Sequence, residues 1–266
     1  MDLVYERRGD GPPLILLHGV GHHWQAWEPV IDRLAKEREV IALDFPGFGR
    51  SPMPPQDIAY GPELLVNTVL DLCERLRLER PHVAGNSMGG LAALMLGQRG
   101  AVASVTGLSP AGLWTDRERA WAFQVLTACR LAARYLPPPL VARLAQHPSA
   151  RTLFTGMIYA KPARRAASAV VAEVAALRGA AGFEGALAVG REFRFRGSVP
   201  ADVPVTIAWG DKDRVLSRRQ GLRVRDELAP HARLVELPGC GHVPMSDDPE
   251  LVARVLLEGS LSRARA

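Results

Sequence analysis

Pro81-His82-Val83-Ala84-Gly85-Asn86-Ser87-Met88-Gly89-Gly90-Leu91 is a short apolar strand that runs into a turn with glycines two residues either side of a serine. An alanine- and leucine-rich helix follows over Leu91 to Gln98. This is the G-x-S-x-G pattern in the strand–turn–helix setting that gives it meaning. A nucleophilic serine needs a very sharp turn so that its hydroxyl stands clear of the backbone. Side chains at Gly85 or Gly89 would strike the neighbouring strand or helix. The turn also aims the Met88 N–H and the helix N-terminus at the place where negative charge would develop. By itself the pentapeptide is equally a serine in a glycine-rich turn, so the rest of the chain must supply its partners.

Outward from this turn, short buried strands alternate with helices. Leu3 to Arg8 reads as a first strand and Leu14-Ile15-Leu16-Leu17 as a strand buried on both faces, ending in His18-Gly19-Val20-Gly21. A helix is expected from Trp24 to Lys36, a strand over Val40 to Leu43, and a helix from Pro62 to Arg77. Ala101 to Ser109, Val203 to Trp209 and Ala232 to Leu237 are further strands. A helix over Ser217 to Leu228 separates the last two. Another starts at Asp248, with Asp248 as cap and Pro249 at its first position. The tail, Gly259 to Ala266, is small and basic and reads as frayed.

The alternation predicts an α/β fold: a mostly parallel central sheet with helices on both faces. It breaks once, from Leu113 to Arg196, where alanine-, leucine- and arginine-rich segments are punctuated by Pro137-Pro138-Pro139, Pro148 and Pro162. Four or five short helices inserted between two strands are expected there. Because ligands of such sheets bind beyond the carboxyl ends of the strands, the insertion would roof that crevice as a cap. The expected division is a core of residues 1–112 and 199–266 with a cap of residues 113–198.

Composition narrows the function classes. The 266 residues are 47% hydrophobic and 23% charged, ordinary globular values that exclude disorder, collagen and coiled coil. Cys73, Cys129 and Cys240 are scattered and odd in number, neither a disulfide framework nor a zinc spacing, and point to a reducing compartment. Met1 to Gly11 carries Asp2, Glu6 and Asp10 and no apolar core of signal-peptide length. A cytoplasmic protein without a membrane partner is therefore expected. The net charge is +5, but the stretch from Leu113 to Ser198 holds thirteen Lys/Arg against five Asp/Glu. No nucleic-acid motif accompanies that charge, and it reads as a solvated helical surface. No ligand cluster or phosphate loop implies a metal or a cofactor.

A serine hydroxyl holds its proton at neutral pH, so it needs a base, and the base needs an orienting acid. His242 lies in Pro238-Gly239-Cys240-Gly241-His242-Val243-Pro244, a glycine-rich loop just past a strand. Trp209-Gly210-Asp211-Lys212-Asp213-Arg214 supplies two acids at another strand end. His82 starts its strand and lies at the wrong end of the sheet, and His147 and His231 sit in polar surroundings. His22 and His23 follow the first glycine turn and could line a pocket. The order Ser87, Asp213, His242 is that of a serine, acid and histidine set on one sheet.

With His18-Gly19, Asp44-Phe45-Pro46-Gly47-Phe48-Gly49-Arg50-Ser51, Gly85-Asn86-Ser87-Met88-Gly89-Gly90, Gly210-Asp211-Lys212-Asp213 and Gly239-Cys240-Gly241-His242 together, the chain resembles an α/β-hydrolase-fold enzyme with a helical cap over nearly its whole length. The resemblance implies that Asp213 is the acid, Asp211 a loop residue and Asp116 a less suitable stand-in. It implies an oxyanion hole of the Val20 and Met88 backbone N–H groups, and it makes Asp44 to Ser51 a structural turn in which Arg50 pairs locally. A serine nucleophile favours acyl chemistry over the aspartate-dependent haloalkane dehalogenases and epoxide hydrolases. A small-molecule carboxylic ester cleaved through an acyl-enzyme is the first expectation. Asn86 and the Gly210–Arg214 run are also similar to carbon–carbon bond hydrolases of ring-fission products. Val20-Gly21-His22-His23 and Val243-Pro244-Met245 depart from that group. Thioesterase, lactonase, haloperoxidase-like activity, acyl transfer and a ligand-binding receptor stay open, as does a homo-oligomer. His22, Trp114, Trp121 and Val243 are the foremost pocket candidates. Phe123, Phe154, Met157, Tyr159, Phe183, Phe193, Phe195 and one of the cap arginines stand behind them.

Overall fold

The computed structural model describes residues 1–261 and builds one seven-stranded sheet from β1 (Tyr5–Arg8), β2 (Pro13–Leu17), β3 (Glu39–Leu43), β4 (His82–Asn86), β5 (Ser104–Leu108), β6 (Val205–Gly210) and β7 (Arg233–Leu237). The order across it is β1-β3-β2-β4-β5-β6-β7. β1 runs antiparallel to β3, and every other pairing is parallel, with Leu17 level with Gly85 and Asn86 level with Leu108. The central strands β4, β5 and β6 are buried throughout, as apolar strands covered on both faces must be. Apart from Glu39 at the start of β3, the charged residues of the sheet lie on the edge strands, Glu6 to Arg8 and Arg233 and Glu236.

Side chains of β2 and β3 alternate between two cores. Ile15, Leu17, Ile41 and Leu43 face one, with Leu65, Val66 and Leu72 of α2 (Pro62–Leu76) and the apolar residues of α3 (Met88–Gln98). Leu14, Leu16, Val40 and Ala42 face the other, with Ile31 and Leu34 of α1 (Glu28–Leu34). This is the period-two pattern of a strand read directly from the sequence. Met88 through Gly97 are all buried, which a helix apolar on every side requires.

The strand order reverses between β2 and β4. The chain leaves β2 for one side of the sheet and leaves β4 for the other, so a crevice opens between their carboxyl ends. His18-Gly19-Val20 and Ser87 stand at its two lips.

Between β5 and β6 lies the inserted helical region: α4 (Asp116–Tyr135), α5 (Pro138–Ala145), α6 (Pro148–Thr155), α7 (Ala167–Gly179) and α8 (Phe183–Gly190). Five helices match the expected number, but α4, at 20 residues, is not short. It opens on a capping box of Thr115 and Glu118. It ends because Pro137 forces Leu136 into extended backbone (ψ 125°). Pro138 and Pro148 then sit in the first turns of α5 and α6.

Arginines finish these helices. Arg178 donates to Ala133 O and Leu136 O at the end of α4, and Arg151 to Ala145 O at the end of α5. Arg214 donates to Gly156 O after α6, and Arg130 to Leu177 O and Arg178 O at the end of α7. Each cation satisfies carbonyls that the helix leaves unpaired and sits at the negative end of its dipole. Part of the local positive charge is thus internal scaffolding rather than a solvated surface.

After β6 the expected single helix is α9 (Arg219–Arg223) continuing into a π turn over Val224–Leu228. A short α10 (Pro244–Asp247), absent from the expectation, precedes α11 (Pro249–Gly259), where Asp248 caps Leu251 N–H as foreseen. Residues 262–266 of the expected frayed tail lie outside the described residues. Among the described residues no helix is long and apolar enough to cross a membrane, and no group of three or more His, Cys, Asp or Glu is placed to hold a metal ion.

Candidate active site

Ser87 links β4 to α3 with φ 54° and ψ −114°, a conformation that costs energy in any residue with a Cβ. The glycines around it are there for space. A Cβ on Gly85 would lie 2.1 Å from the Gly89 carbonyl oxygen, and one on Gly89 would lie 2.1 Å from that of Leu17. Neither backbone can yield, so the turn is as tight as the motif requires. Across the crevice, a Cβ on Gly19 would come within 3.3 Å of Ser87 Cβ, so the loop after β2 lies directly against the serine. Met88 is the first residue of α3, where an N–H has no partner from a preceding helical turn.

Buried His18 supports that loop. Its Nδ1 bonds Gly19 O at 2.8 Å and its Nε2 accepts Phe45 N–H at 3.0 Å. Burial drives its pKa down to about 3, so the ring is neutral and its Nε2 stays an acceptor. Asp44 accepts the Trp24 and Arg50 N–H groups at 2.6 and 2.9 Å. The Asp44–Ser51 turn is therefore structural, but it is the Arg50 backbone and not its guanidinium that pairs with Asp44. The Arg50 residue itself is exposed.

Asp213 and His242 come together from the ends of β6 and β7. His242 Nδ1 bonds Asp213 Oδ2 at 2.9 Å, and both side chains are almost wholly buried. The other carboxylate oxygen of Asp213 accepts Val215 and Leu216 N–H, each at 2.9 Å, which locks the acid's orientation. Asp211 instead accepts Gly239 N–H at 2.6 Å and braces the loop that carries the histidine. Asp116 is exposed and paired with Arg194 and Arg119. His82 bonds Ser104 Oγ at the far end of β4, and His147 and His231 are exposed.

Two buried residues hold the His242 loop in place. Asn86 Nδ2 donates to His242 O at 2.9 Å and to Leu108 O at 3.1 Å, tying the elbow, β5 and the loop together. Asp247 accepts N–H groups from Gly241, Ala160 and Lys161 and so fastens the loop to the inserted region. His242 N–H itself donates to Ile158 O at 2.8 Å.

Two cavities meet at Ser87. The first lies over Val20, His22, Ser87 and His242 and runs under Leu136, Phe154 and Leu177 of the inserted helices. The second runs from Val20, Ser87 and Met88 toward Tyr60, Trp114 and Phe193. Glu173 is the one carboxylate on either wall, and neither wall includes a lysine or arginine among the described residues. Ser87 and Val20 line both cavities, His242 the first and Met88 the second.

A model of the alpha/beta hydrolase fold matches residues 12–249. The chain belongs to the alpha/beta hydrolase fold family. Within this family, the chain is 39% identical over 94 residues to 2-hydroxymuconate semialdehyde hydrolase of Pseudomonas sp. (strain CF600), 34% of this chain and 33% of that one. It is 36% identical over 96 residues to the pimeloyl-[acyl-carrier protein] methyl ester esterase of Aeromonas hydrophila, 36% of each chain. The matched stretches span about a third of these relatives' own length. A hydrolase from Pseudomonas aeruginosa PA01 superposes with a TM-score of 0.74 at 24% identity, covering 96% of this chain and 93% of that one, and shares the fold.

Of the expected pocket residues, His22 and Trp114 line the cavities and two do not. Trp121 is 48% exposed and donates its indole N–H to Arg214 O, because its position on α4 faces outward. Val243 is buried on the other side of its loop, in the core beneath α11. Phe123, Phe154, Phe183 and Phe193 also line the cavities, whereas Met157, Tyr159 and Phe195 are not among the lining residues. No arginine of the inserted helices reaches the cavities; several are engaged on helix ends. Glu173 and Tyr60 were not foreseen as pocket residues. Glu173 had a signal: it is the only charge between Arg165 and Arg178 in an alanine- and valine-rich stretch.

Proposed function

We propose that this chain is a serine hydrolase that cleaves an uncharged, largely apolar carboxylic ester through an acyl-enzyme. Ser87 Oγ adds to the ester carbonyl while its proton passes to His242 Nε2, the ring nitrogen that Asp213 leaves free. Asp213 holds the tautomer and stabilises the imidazolium. The Val20 and Met88 N–H groups receive the oxyanion, each such donor being worth about 10²–10³ in rate. The tetrahedral adduct collapses with loss of the alkoxide, which takes the proton from His242. Water, deprotonated by the same ring, then releases the carboxylic acid and restores Ser87.

The observation that carries this reading is that His242, paired with Asp213, lines one largely apolar cavity together with Ser87 on its strained turn. Residues 113–198 act in it as the cap that supplies most of the pocket roof. Partial-length similarity to 2-hydroxymuconate semialdehyde hydrolase favours a second reading, carbon–carbon bond hydrolysis. The cavity walls favour the ester, because they offer no cation to a substrate carboxylate. Turnover of p-nitrophenyl butyrate by the purified chain tests the proposal. Ser87→Ala is expected to lower kcat by on the order of 10⁶. Absence of turnover by the wild-type chain on any acyl substrate, with unchanged ligand binding by Ser87→Ala, would show a receptor instead.

A further inference from the structure

The first cavity ends on a polar cluster that the acyl mechanism does not use. Glu173 of α7 bonds His22 Nε2 through Oε1 at 3.2 Å, and its Oε2 lies 2.5 Å from Arg165 Nη2. The Arg165 guanidinium stacks over the Tyr159 ring at 3.7 Å from its centroid, and Tyr159 Oη lies 3.4 Å from His22 Nε2. Burial pushes the Glu173 carboxyl up, but the Arg165 charge and the His22 hydrogen bond outweigh it and hold the group down at about 2. Burying an ionised carboxylate and guanidinium beside an apolar cavity is expensive and does little for stability by itself. The arrangement calls for a functional account.

Its contact with the catalytic core supplies one. His22 belongs to the loop after β2, and its N–H closes a turn on Gly19 O at 3.1 Å. Val20, the expected oxyanion donor, sits inside that turn. At Gly21, whose φ is 78°, an added Cβ would lie 2.5 Å from Leu177 Cδ1. Helix α7 therefore meets the loop twice, one turn of helix apart: Leu177 packs on Gly21 and Glu173 holds the His22 ring. Ile158 O, one residue before Tyr159, takes the His242 N–H. The inserted region thus grips both the oxyanion loop and the base loop.

We propose that Glu173 is a positioning residue of the oxyanion hole: through His22 it fixes the Gly19–His22 turn, so that the Val20 N–H faces the developing oxyanion when the inserted helices are seated. The proposal rests on the serine-hydrolase reading above. Misplacing a donor by about 1 Å costs on the order of 10²-fold, so loss of the tie should slow chemistry rather than weaken binding.

His22→Ala removes the tie and leaves the Glu173–Arg165 pair intact, so no buried charge is stranded. The measurements are kcat and KM for p-nitrophenyl acetate and hexanoate, and inhibition by two probes. One is an alkyl trifluoromethyl ketone, whose hemiketal with Ser87 would place an oxyanion in the hole. The other is hexanoate. The expected result is a fall in kcat of about 10–100-fold with both esters and a KM change within about threefold. Ketone affinity should fall by the same factor as kcat, with hexanoate affinity unchanged. Glu173→Gln with Arg165→Met keeps an acceptor for His22 and should stay within about threefold of wild type. Glu173→Ala with Arg165→Met should match His22→Ala. Wild-type kcat and ketone affinity in His22→Ala would overturn the proposal, as would a loss seen in KM alone or one that scales with acyl length. Full hydrolysis by Ser87→Ala would instead remove the serine-hydrolase reading beneath it. Loss in Ser87→Ala with a silent His22→Ala removes this proposal only.

Discussion

An added Cβ at Gly89 would lie 2.1 Å from the Leu17 carbonyl oxygen, whereas at Gly179, the last residue of α7, it would meet nothing within 4 Å. The two glycines mark two ways of building. Around the elbow, backbone runs against backbone: β4 against α3, Gly89 of α3 against the Leu17 and His18 carbonyls, and Gly210 against the Cys240 carbonyl. Position there is set by contacts that cannot relax. In the inserted helices, position is set by side chains that reach across from one helix to another. Arg178 of α7 finishes α4, and Arg130 of α4 finishes α7. A rigid sheet end suits the proposed triad of Ser87, His242 and Asp213, which needs fixed geometry. Helices joined by long cationic side chains can change their packing while keeping their own hydrogen bonds.

Substitution breaks or sharpens that contrast. The largest effect is expected at Gly89→Ala, where the clash falls on backbone: a loss of about 3 kcal/mol or more of unfolding free energy, read by urea denaturation, with activity lost alongside it. A loss below about 1 kcal/mol would mean that the elbow yields and that the contrast is overstated. Arg178→Ala removes two carbonyl partners at the end of α4 and should cost about 1 kcal/mol. Hydrogen exchange should show that loss concentrated in α4 and α7, with the amides of β4 and α3 unchanged. Gly179→Ala lies at the other extreme. Freed of the unfolded-chain entropy of glycine, the variant should gain about 0.4–1 kcal/mol, seen as a small rise in melting temperature.

Much of the site was legible because its demands are local. The turn at Ser87 needs glycine at 85 and 89 whatever surrounds it, and a strand followed by a glycine-rich loop announces where Asp213 and His242 stand. The helix ends in the insertion were equally local, since Pro137 stops α4 and Pro138 starts α5. Asn86 illustrates the limit. As a sequence feature it suggested a substrate class, whereas in the structure its amide holds the His242 loop, 156 residues away.

The sequence by itself determined the strand order of chemistry: a serine on a tight elbow, an acid and a histidine after later strands, and a helical insertion above them. Those signals survive in one dimension because each depends on backbone geometry within a few residues. Only the tertiary structure decided which insertion residues line the cavities. Trp114 and Trp121 are seven residues apart and chemically identical, yet one lines the cavity and the other is exposed, because the choice depends on how the chain is turned against its neighbours. The pairing of His22 with Glu173, 151 positions apart, was decided in the same way: a contact between side chains from separate elements has no period or spacing for the sequence to display.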